Sequence, residues 1–436
     1  MVEYQHLFHA KSLSWQNNLC TAVRLLLEFA AANHGSFASP RDLFETFSIR
    51  IRSGTFGATC SDPSGLYWLP KTPSRANRLI AMLTEFSEWT AKNYGVSALN
   101  PMRDATRAEQ VIAAAAWAHK NNASFLGHTE SQAKARALLR QTPWVPRHRE
   151  SKSFGEQTPR FPEKDFLPLL VDGFVAHRNV QDPLLRLDLR CVLITLMQHG
   201  GALRLSECFH LWIHDVQEDT LDPSIALIRI GHPSHGLVRE PNSNGGITET
   251  TRAIYLMQRG LRPRDRYVSK KRAGWKNPAL TNNYLHVFWR APVFGRLFMR
   301  CWKLYLFQRI EVGANHPWAF VNFKGNRGAP YKISRYHKAH NTAVKRIGLI
   351  PRKSEGTTPH GHRHRALFSL KALGLDSQIL QKVAHHCSIE SQSVYTEPEI
   401  IRMQQELYEV SARLNSEDIG SLERISGNFG LTANIP

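Results

Sequence analysis

The chain has 436 residues, with 56 Lys and Arg against 36 Asp and Glu, a formal net charge of +20 at pH 7. At ~150 residues per domain, this length predicts two or three domains with interior enough to fold without disulfides or structural metal, which excludes the small stapled scaffolds. The six cysteines (Cys20, Cys60, Cys191, Cys208, Cys301, Cys387) lie far apart with no C-x-x-C, the usage of a reducing compartment. The opening MVEYQHLFHAK lacks the apolar block of a signal peptide, and no segment reaches the ~18 uninterrupted apolar residues of a membrane span, so a soluble, cytoplasmic protein is expected.

The positive charge is concentrated. Residues 251–350 carry 21 basic side chains and two acidic ones, Asp265 and Glu311, whereas 151–250 carry 9 and 13 and 351–436 carry 9 and 10. A polyanion is the natural partner of such a block, and nucleic acid is the commonest, because neutralised phosphates release condensed counterions. Aromatic residues from Tyr255 to Phe307 are interleaved with the Arg and Lys, which points to a folded element and not a disordered tail. No amphipathic stretch built for interfacial insertion accompanies it, which argues against a membrane surface.

In chain order, residues 14–32 place Leu19, Val23, Leu26, Leu27 and Ala30 at helical spacing, and 75–95 do the same with Leu79, Met82, Leu83, Phe86 and Trp89. DATRAEQVIAAAAWAHKNN and ESQAKARALLRQT predict two more helices, with a loop-rich interruption near SGTFGATCSDPSG and no strand pair. Residues 1–145 therefore read as a helical domain, and 146–164, rich in Pro, Ser and charge, as a linker. A second domain over 165–416 and a tail over 417–436 complete the division. Within 165–416, PEKDFLPLLVDGFVAH and DPLLRLDLRCVLITLMQHGG predict helices, and IALIRI and TRAIYL predict two antiparallel strands. The expected fold class is mostly α with a small antiparallel sheet.

Three short segments carry chemistry: GALRLSECFH around Arg204, TPHGHRHRALF around His360 and Arg363, and KVAHHCSIESQSVYTEP around His386 and Tyr395. His360 and His364 are four apart, as in a metalloprotease helix. Gly361 nevertheless occupies the position where that motif needs its Glu, and Arg363 between the histidines opposes a cation. No metal is expected.

Taken together, the segments resemble the tyrosine recombinase (phage integrase) family. Gly201-Ala202-Leu203-Arg204-Leu205-Ser206-Glu207 is similar to the family's G-L-R-x-x-E with one residue added. His360-Gly361-His362-Arg363-His364 is similar to H-x-L-R-H, with His362 in place of Leu. Ala384-His385-His386 followed nine residues on by Tyr395 is similar to L-G-H and its tyrosine, with His385 in place of Gly. The resemblance covers roughly residues 160–400 and implies a helical core-binding domain followed by a mixed α/β catalytic domain, together clamping a duplex.

What the resemblance implies is site-specific cleavage and rejoining of double-stranded DNA. Arg204 and Arg363 would hold the non-bridging phosphate oxygens, which suits planar guanidinium. His360 would exchange a proton or bond the phosphate, His386 would donate to it, and Tyr395 would attack to form a 3′-phosphotyrosyl intermediate without any cofactor. Glu207 would support these residues, although an exposed helix carboxylate has the same appearance in sequence. The family's hairpin lysine, which protonates the departing 5′ oxygen, has no counterpart in GHPSHGLVREPNSNGGITET. His232 and His235 are the candidate replacements, with Lys270 or Lys271 from a neighbouring insertion as an alternative.

That insertion, at about 257–315, is basic and aromatic and is expected to contact DNA or a partner. Arg239, Lys270, Lys271, Arg272, Lys276, Lys324, Arg327, Lys332 and Arg335 are candidate DNA contacts. After Tyr395, Ile400, Met403, Leu407, Val410 and Leu414 form a helical stripe. In the family such a segment packs into a neighbouring protomer, which implies a tetramer on two duplexes, a monomer off DNA, possible accessory recombination proteins and a nucleoid-associated place in the cell. Two other readings fit the same residues: a type IB topoisomerase-like relaxer, and a DNA-binding protein that no longer cuts.

Overall fold

The computed structural model describes residues 1–8, 11, 13–57, 60–122, 140–148, 158–177, 179–180, 182, 186–241, 246–268 and 270–386, with residues 119–122 described by their backbone alone. Tyr395 and the stripe from Ile400 to Leu414 lie outside them. The chain divides into two compact units, Met1–Lys152 and Ser153–Pro436. Among the described residues the secondary structure is mostly helical with three small antiparallel sheets, and no helix is long and apolar enough to cross a membrane.

The first unit is built on α1 (Val2–Leu7), α2 (Leu13–Ala32), α3 (Pro40–Ser53) and α4 (Pro73–Tyr94). Its core joins Phe29 of α2, Phe44 and Phe47 of α3 and Leu79 and Leu83 of α4, all buried. The buried stripe of α2 is Leu19, Ala22, Leu25 and Phe29, while Leu27, expected inside, is 63% exposed. Both stripes have helical spacing, and the larger Phe29 ring, packed against Phe47 at 5.8 Å, decides which turns inward. The strand-free expectation fails here. β1 (Met102–Asp104) pairs antiparallel with β2 (Gln141–Pro143), separated in sequence by α5 (Arg107–Asn122). A three-residue pair closed over that distance leaves no hairpin signal to read. Residues 130–139 of the expected fourth helix lie outside the described residues, and Gln141 and Thr142 belong to the strand.

The second unit is centred on α6 (Leu189–His199), which is buried on nearly every side, so its apolar run has no polar face. The Asp188 side chain accepts from the Cys191 N–H at its start, and α6 stops at Gly200-Gly201. The helix expected over 163–173 is instead a succession of short turns: Glu163–Asp165, Phe166–Pro168 and a π turn at Leu169–Gly173. After α7 (Leu205–Cys208) come β3 (Val216–Glu218), β4 (Ala226–Gly231) and the hairpin β5 (Leu237–Pro241) and β6 (Ile247–Thr251). β7 (Tyr284–His286) completes a sheet ordered β3-β4-β7.

IALIRI is thus a strand, but its partners are β3 and β7 and not TRAIYL. Thr251 ends β6, and its hydroxyl caps α8 (Arg252–Met257). Arg252 forms an ion pair with Asp215 and donates to the carbonyls of His210 (3.3 Å) and Gly231 (3.2 Å), all buried. That burial pulls the chain off the sheet at Arg252, where β-branching alone predicts a longer strand.

The expected insertion is therefore two things. Its first part belongs to the long connection from β4 to β7. Its second part is α9 (Pro292–Ile310), whose Phe298, Met299, Trp302 and Tyr305 fill the main core beside α6. α10 (Ile333–Arg346), α11 (Pro359–Ala372) and α12 (Ser377–Val383) complete the unit. Removing one partner of a buried ion pair strands the other charge. Asp215→Ala is accordingly expected to lower unfolding stability by about 3–5 kcal/mol, measured by urea titration, with Arg252→Ala comparable.

Candidate active site

The turn after α6 sets the first side chain. Gly201 has no room for a Cβ, which would meet Val287 Cγ1 at 2.4 Å. Ala202 follows in the left-handed region at φ +55°, a conformation that a non-glycine residue adopts at a cost. Arg204 then opens α7. The fully buried Glu207 accepts from both the Arg204 backbone N–H and its guanidinium, each at 2.7 Å. Glu207 is thus no exposed helix carboxylate, and a single carboxylate fixes main chain and side chain of the same arginine.

α11 supplies the second group. His360 and Arg363 are one turn apart on it and share a face. Arg363 is 1% exposed. Its guanidinium donates to the Ala202 carbonyl, to the Ala384 carbonyl (2.5 Å) and to His386 Nε2 (3.0 Å). Gly361 between them is required by close approach: a Cβ there would sit 1.7 Å from the Gly356 carbonyl oxygen. The Gly361 carbonyl also accepts from the Phe161 N–H at 3.0 Å.

The third group follows α12. His385, where glycine was expected from the resemblance, has φ +52°, and its Nε2–H donates to the His286 carbonyl at the end of β7, at 2.7 Å. That bond helps hold a histidine in a conformation glycine adopts more readily. Because an arginine only donates, His386 Nε2 accepts, and its ring proton sits on Nδ1. Burial, followed by the charges of Arg363, Arg204 and His385, pulls His386 down to about 4. His360, whose surface is open, is also brought to about 4, first by desolvation and then by Arg363, Lys276, Arg204 and Lys353. Near pH 7 both histidines are neutral, and the positive charge belongs to the arginines and lysines.

Lys276 is the unexpected neighbour. It is exposed and lies on the segment leading into β7, close enough to act electrostatically on His360, and Ala279 of that segment donates its N–H to the His385 carbonyl at 3.2 Å. In sequence it is one of many basic residues in the block. Its position becomes visible only once Tyr284–His286 is known to pair with β4.

The two histidines expected to replace the hairpin lysine have other surroundings. His232 Nδ1 accepts from the Ser234 and His235 N–H groups (3.1 and 3.0 Å), and its ring stacks on His235. Burial and His235 lower its pKa, with Asp265, Arg266 and Arg252 as the further charges. Among the candidate DNA contacts, Arg239 pairs with Glu249 on the exposed β5–β6 hairpin, Arg272 donates to the Asp265 carbonyl, and Arg335 donates to Asn322 Oδ1. Lys270, Lys271 and Lys324 are exposed, Arg327 reaches the Glu311 carbonyl, and Lys332 precedes α10. Among the described residues no cluster of His, Cys, Asp and Glu is arranged to hold a metal ion.

Behind α11 lies a chain that the sequence did not announce. Glu163 meets His199 Nε2 at 3.4 Å, His199 Nδ1 meets His362 Nδ1 at 3.1 Å, and His362 Nε2 meets His340 Nε2 at 2.9 Å. Burial raises Glu163, but hydrogen bonds from His199 and Arg290 hold it down at about 2, so it is an acceptor. His199 then donates to it, His362 donates to His199, and His340 donates to His362, one proton per ring. His340 Nδ1 is left as an acceptor with no partner among the described residues. All three rings are fully buried, with Phe166 stacked on His199 at 3.7 Å and Phe161 on His362 at 4.2 Å.

Desolvation brings His199 to about 4 and His340 to about 3 and lowers His362 well below its ordinary value. The unfolded chain binds protons at these rings below ~6.5 while the folded chain refuses them. Stability is therefore full above that value and lost as pH falls toward 4, by roughly 1.4 kcal/mol per pH unit for each ring. His362→Leu is expected to flatten the dependence of unfolding free energy on pH between 6 and 4 by about one proton, measured by denaturant titration at several pH values. An unchanged slope contradicts the neutral chain.

No family model and no curated protein matches the sequence. Solved structures that the chain resembles include the Tn1549 transposon integrase in complex with transposon right-end DNA, at 12% identity, 94% of this chain, 98% of that chain and a TM-score of 0.47. XerA recombinase is similar at 15% identity, 77% and 83% coverage and a TM-score of 0.34. XerH site-specific recombinase in a post-cleavage complex with a palindromic difH substrate is similar at 13%, 88%, 95% and 0.37.

Proposed function

We propose that this chain is a site-specific recombinase that breaks and rejoins double-stranded DNA through a 3′-phosphotyrosyl intermediate on Tyr395, in the manner of a mobile-element integrase. The observation that carries the reading is the bond from Arg363 to His386 at 3.0 Å, together with its bond to the Ala202 carbonyl two residues ahead of Arg204. Bonds among Arg363, Ala202 and His386 thereby tie three distant segments together, and Glu207, buried beside them, is paired with Arg204. Such a grouping suits a phosphodiester whose charge grows as a nucleophile adds.

In this reading, the two guanidinium groups hold the non-bridging oxygens and offset their charge. His386, with its proton on Nδ1, donates to the same phosphate. His360, neutral near pH 7, takes the phenolic proton as Tyr395 attacks, and Lys276 delivers a proton to the departing 5′ oxygen. The reverse step, attack by a second strand's 5′ hydroxyl, uses the same groups in exchanged roles. Strand exchange places four protomers on two duplexes.

A nicked suicide substrate, from which the cleaved 5′ end diffuses away, is expected to trap a covalent protein–DNA adduct that Tyr395→Phe abolishes while leaving duplex binding intact. Binding without an adduct supports a scaffold that no longer cuts, and supercoil relaxation without synapsis supports a type IB-like relaxer. Lys276→Ala is expected to slow cleavage by roughly 10²–10⁴-fold. A substrate with sulfur at the bridging 5′ position is expected to restore the rate, because a thiolate leaves without a proton. If His232→Ala shows that loss and that rescue while Lys276→Ala does not, the acid is His232.

A further inference from the structure

A second group of cations shares no residue with those assigned to strand transfer. A cavity of about 390 Å³ is lined by parts of 261–271 in the β4–β7 connection and of 313–318 and 326–330, within the range of small-ligand sites and larger than a bare anion needs. Its lining includes Arg264, Lys271 and Arg327 and no Asp or Glu.

Two buried groups in it lack what buried groups ordinarily have. Arg264 is 1% exposed; it donates to the main-chain carbonyls of Phe209 (3.3 Å), Lys271 (3.2 Å) and Tyr331 (2.7 Å) and lies over the Phe209 and Trp318 rings, and among the described residues no carboxylate pairs with it. A buried charge is normally offset by a counter-charge, and here burial alone draws the guanidinium down to about 10. His316 is 7% exposed, and neither ring nitrogen has a hydrogen-bond partner among the described residues. Burial, followed by the charge of Arg309, holds the His316 pKa down at about 4, so near pH 7 the ring is neutral with one donor and one acceptor. An imidazole in the cavity wall with both ring nitrogens unpartnered among the described residues, beside cations in a lining that includes no Asp or Glu, suits an anionic oxygen ligand. The amides of Asn315 and Asn326 on the same lining add groups that can meet the edge of a base.

We propose that this cavity is a nucleotide site: it takes a phosphate ester between Arg264, Lys271, Arg327 and His316, with the attached base toward Asn315 and Asn326. The phosphate comes either from a strand of bound nucleic acid or from a free nucleotide. The inference does not depend on strand transfer, because occupancy is read by binding and not by an adduct.

The test is calorimetric titration of the full chain with deoxyadenosine 5′-monophosphate, deoxyadenosine and a twelve-nucleotide single strand. The variants are Lys271→Ala/Arg327→Ala, which changes exposed cations, and His316→Phe, which fills the cavity at constant charge near pH 7; circular dichroism checks that both fold. The monophosphate or the single strand is expected to bind at least tenfold more tightly to the parent than to either variant, and deoxyadenosine is expected not to bind. A variant-sensitive preference for the oligonucleotide identifies a strand as the source, and the opposite order identifies a free nucleotide. Binding of neither phosphate probe, or binding that both variants leave unchanged, overturns the proposal and assigns the cavity to water.

Discussion

The buried guanidinium of Arg363 is the constraint around which the candidate site is organised. A cation at 1% exposure must be met by oriented acceptors, and it finds them in two carbonyls, Ala202 and Ala384, and in His386 Nε2. Each carbonyl adjoins or belongs to a residue in the left-handed region, Ala202 at φ +55° and His385 at φ +52°. The backbone strain of both turns is thus located where it turns an oxygen toward the same arginine. Arg204 follows the first turn and His386 the second, so one side chain sets the separation of the segments that carry the others.

The surroundings of α11 explain how that arginine stays in place. Its outer face carries His360, and its inner face carries His362, clamped between His199 and His340 with a phenylalanine stacked beside it. Gly361 lets the Gly356 loop lie directly against the helix. Placing His at apolar positions in such an interior exchanges dispersion for hydrogen bonds, and here they run in one direction, from His340 outward to Glu163, with His340 Nδ1 left unpartnered among the described residues. The arrangement holds the helix firmly at neutral pH and costs stability in acid. Desolvation and the neighbouring arginine charges keep His360 and His386 uncharged near pH 7.

Much of this was legible in the residues. Helices over 13–32, 73–94 and 107–122 follow from apolar spacing. The intervals that bring Arg204, the His360–Arg363 pair and His386 to attention are visible without coordinates. The misreadings have local causes. TRAIYL has the composition of a strand, yet Thr251 caps a helix and Arg252 is drawn inward by Asp215. The basic, aromatic stretch looked like a single DNA- or partner-contacting insertion, yet about a third of it is α9, whose Phe298, Trp302 and Tyr305 are core. Short pairings such as β1 with β2, and β4 with β7 across more than fifty residues, carry no turn signature because neither is a hairpin.

What the sequence determined by itself is composition and local periodicity: the concentration of positive charge in 251–350, the helical stripes, and which residue types recur at which intervals. Only the tertiary structure decided which cations meet. Lys276 acts electrostatically on His360 although it is more than eighty residues away in sequence, and His199, His340 and His362 form one chain because three helices pack in the same interior. Charge and hydrogen-bond direction act over a few ångströms of space, and distance along the chain does not determine distance in space.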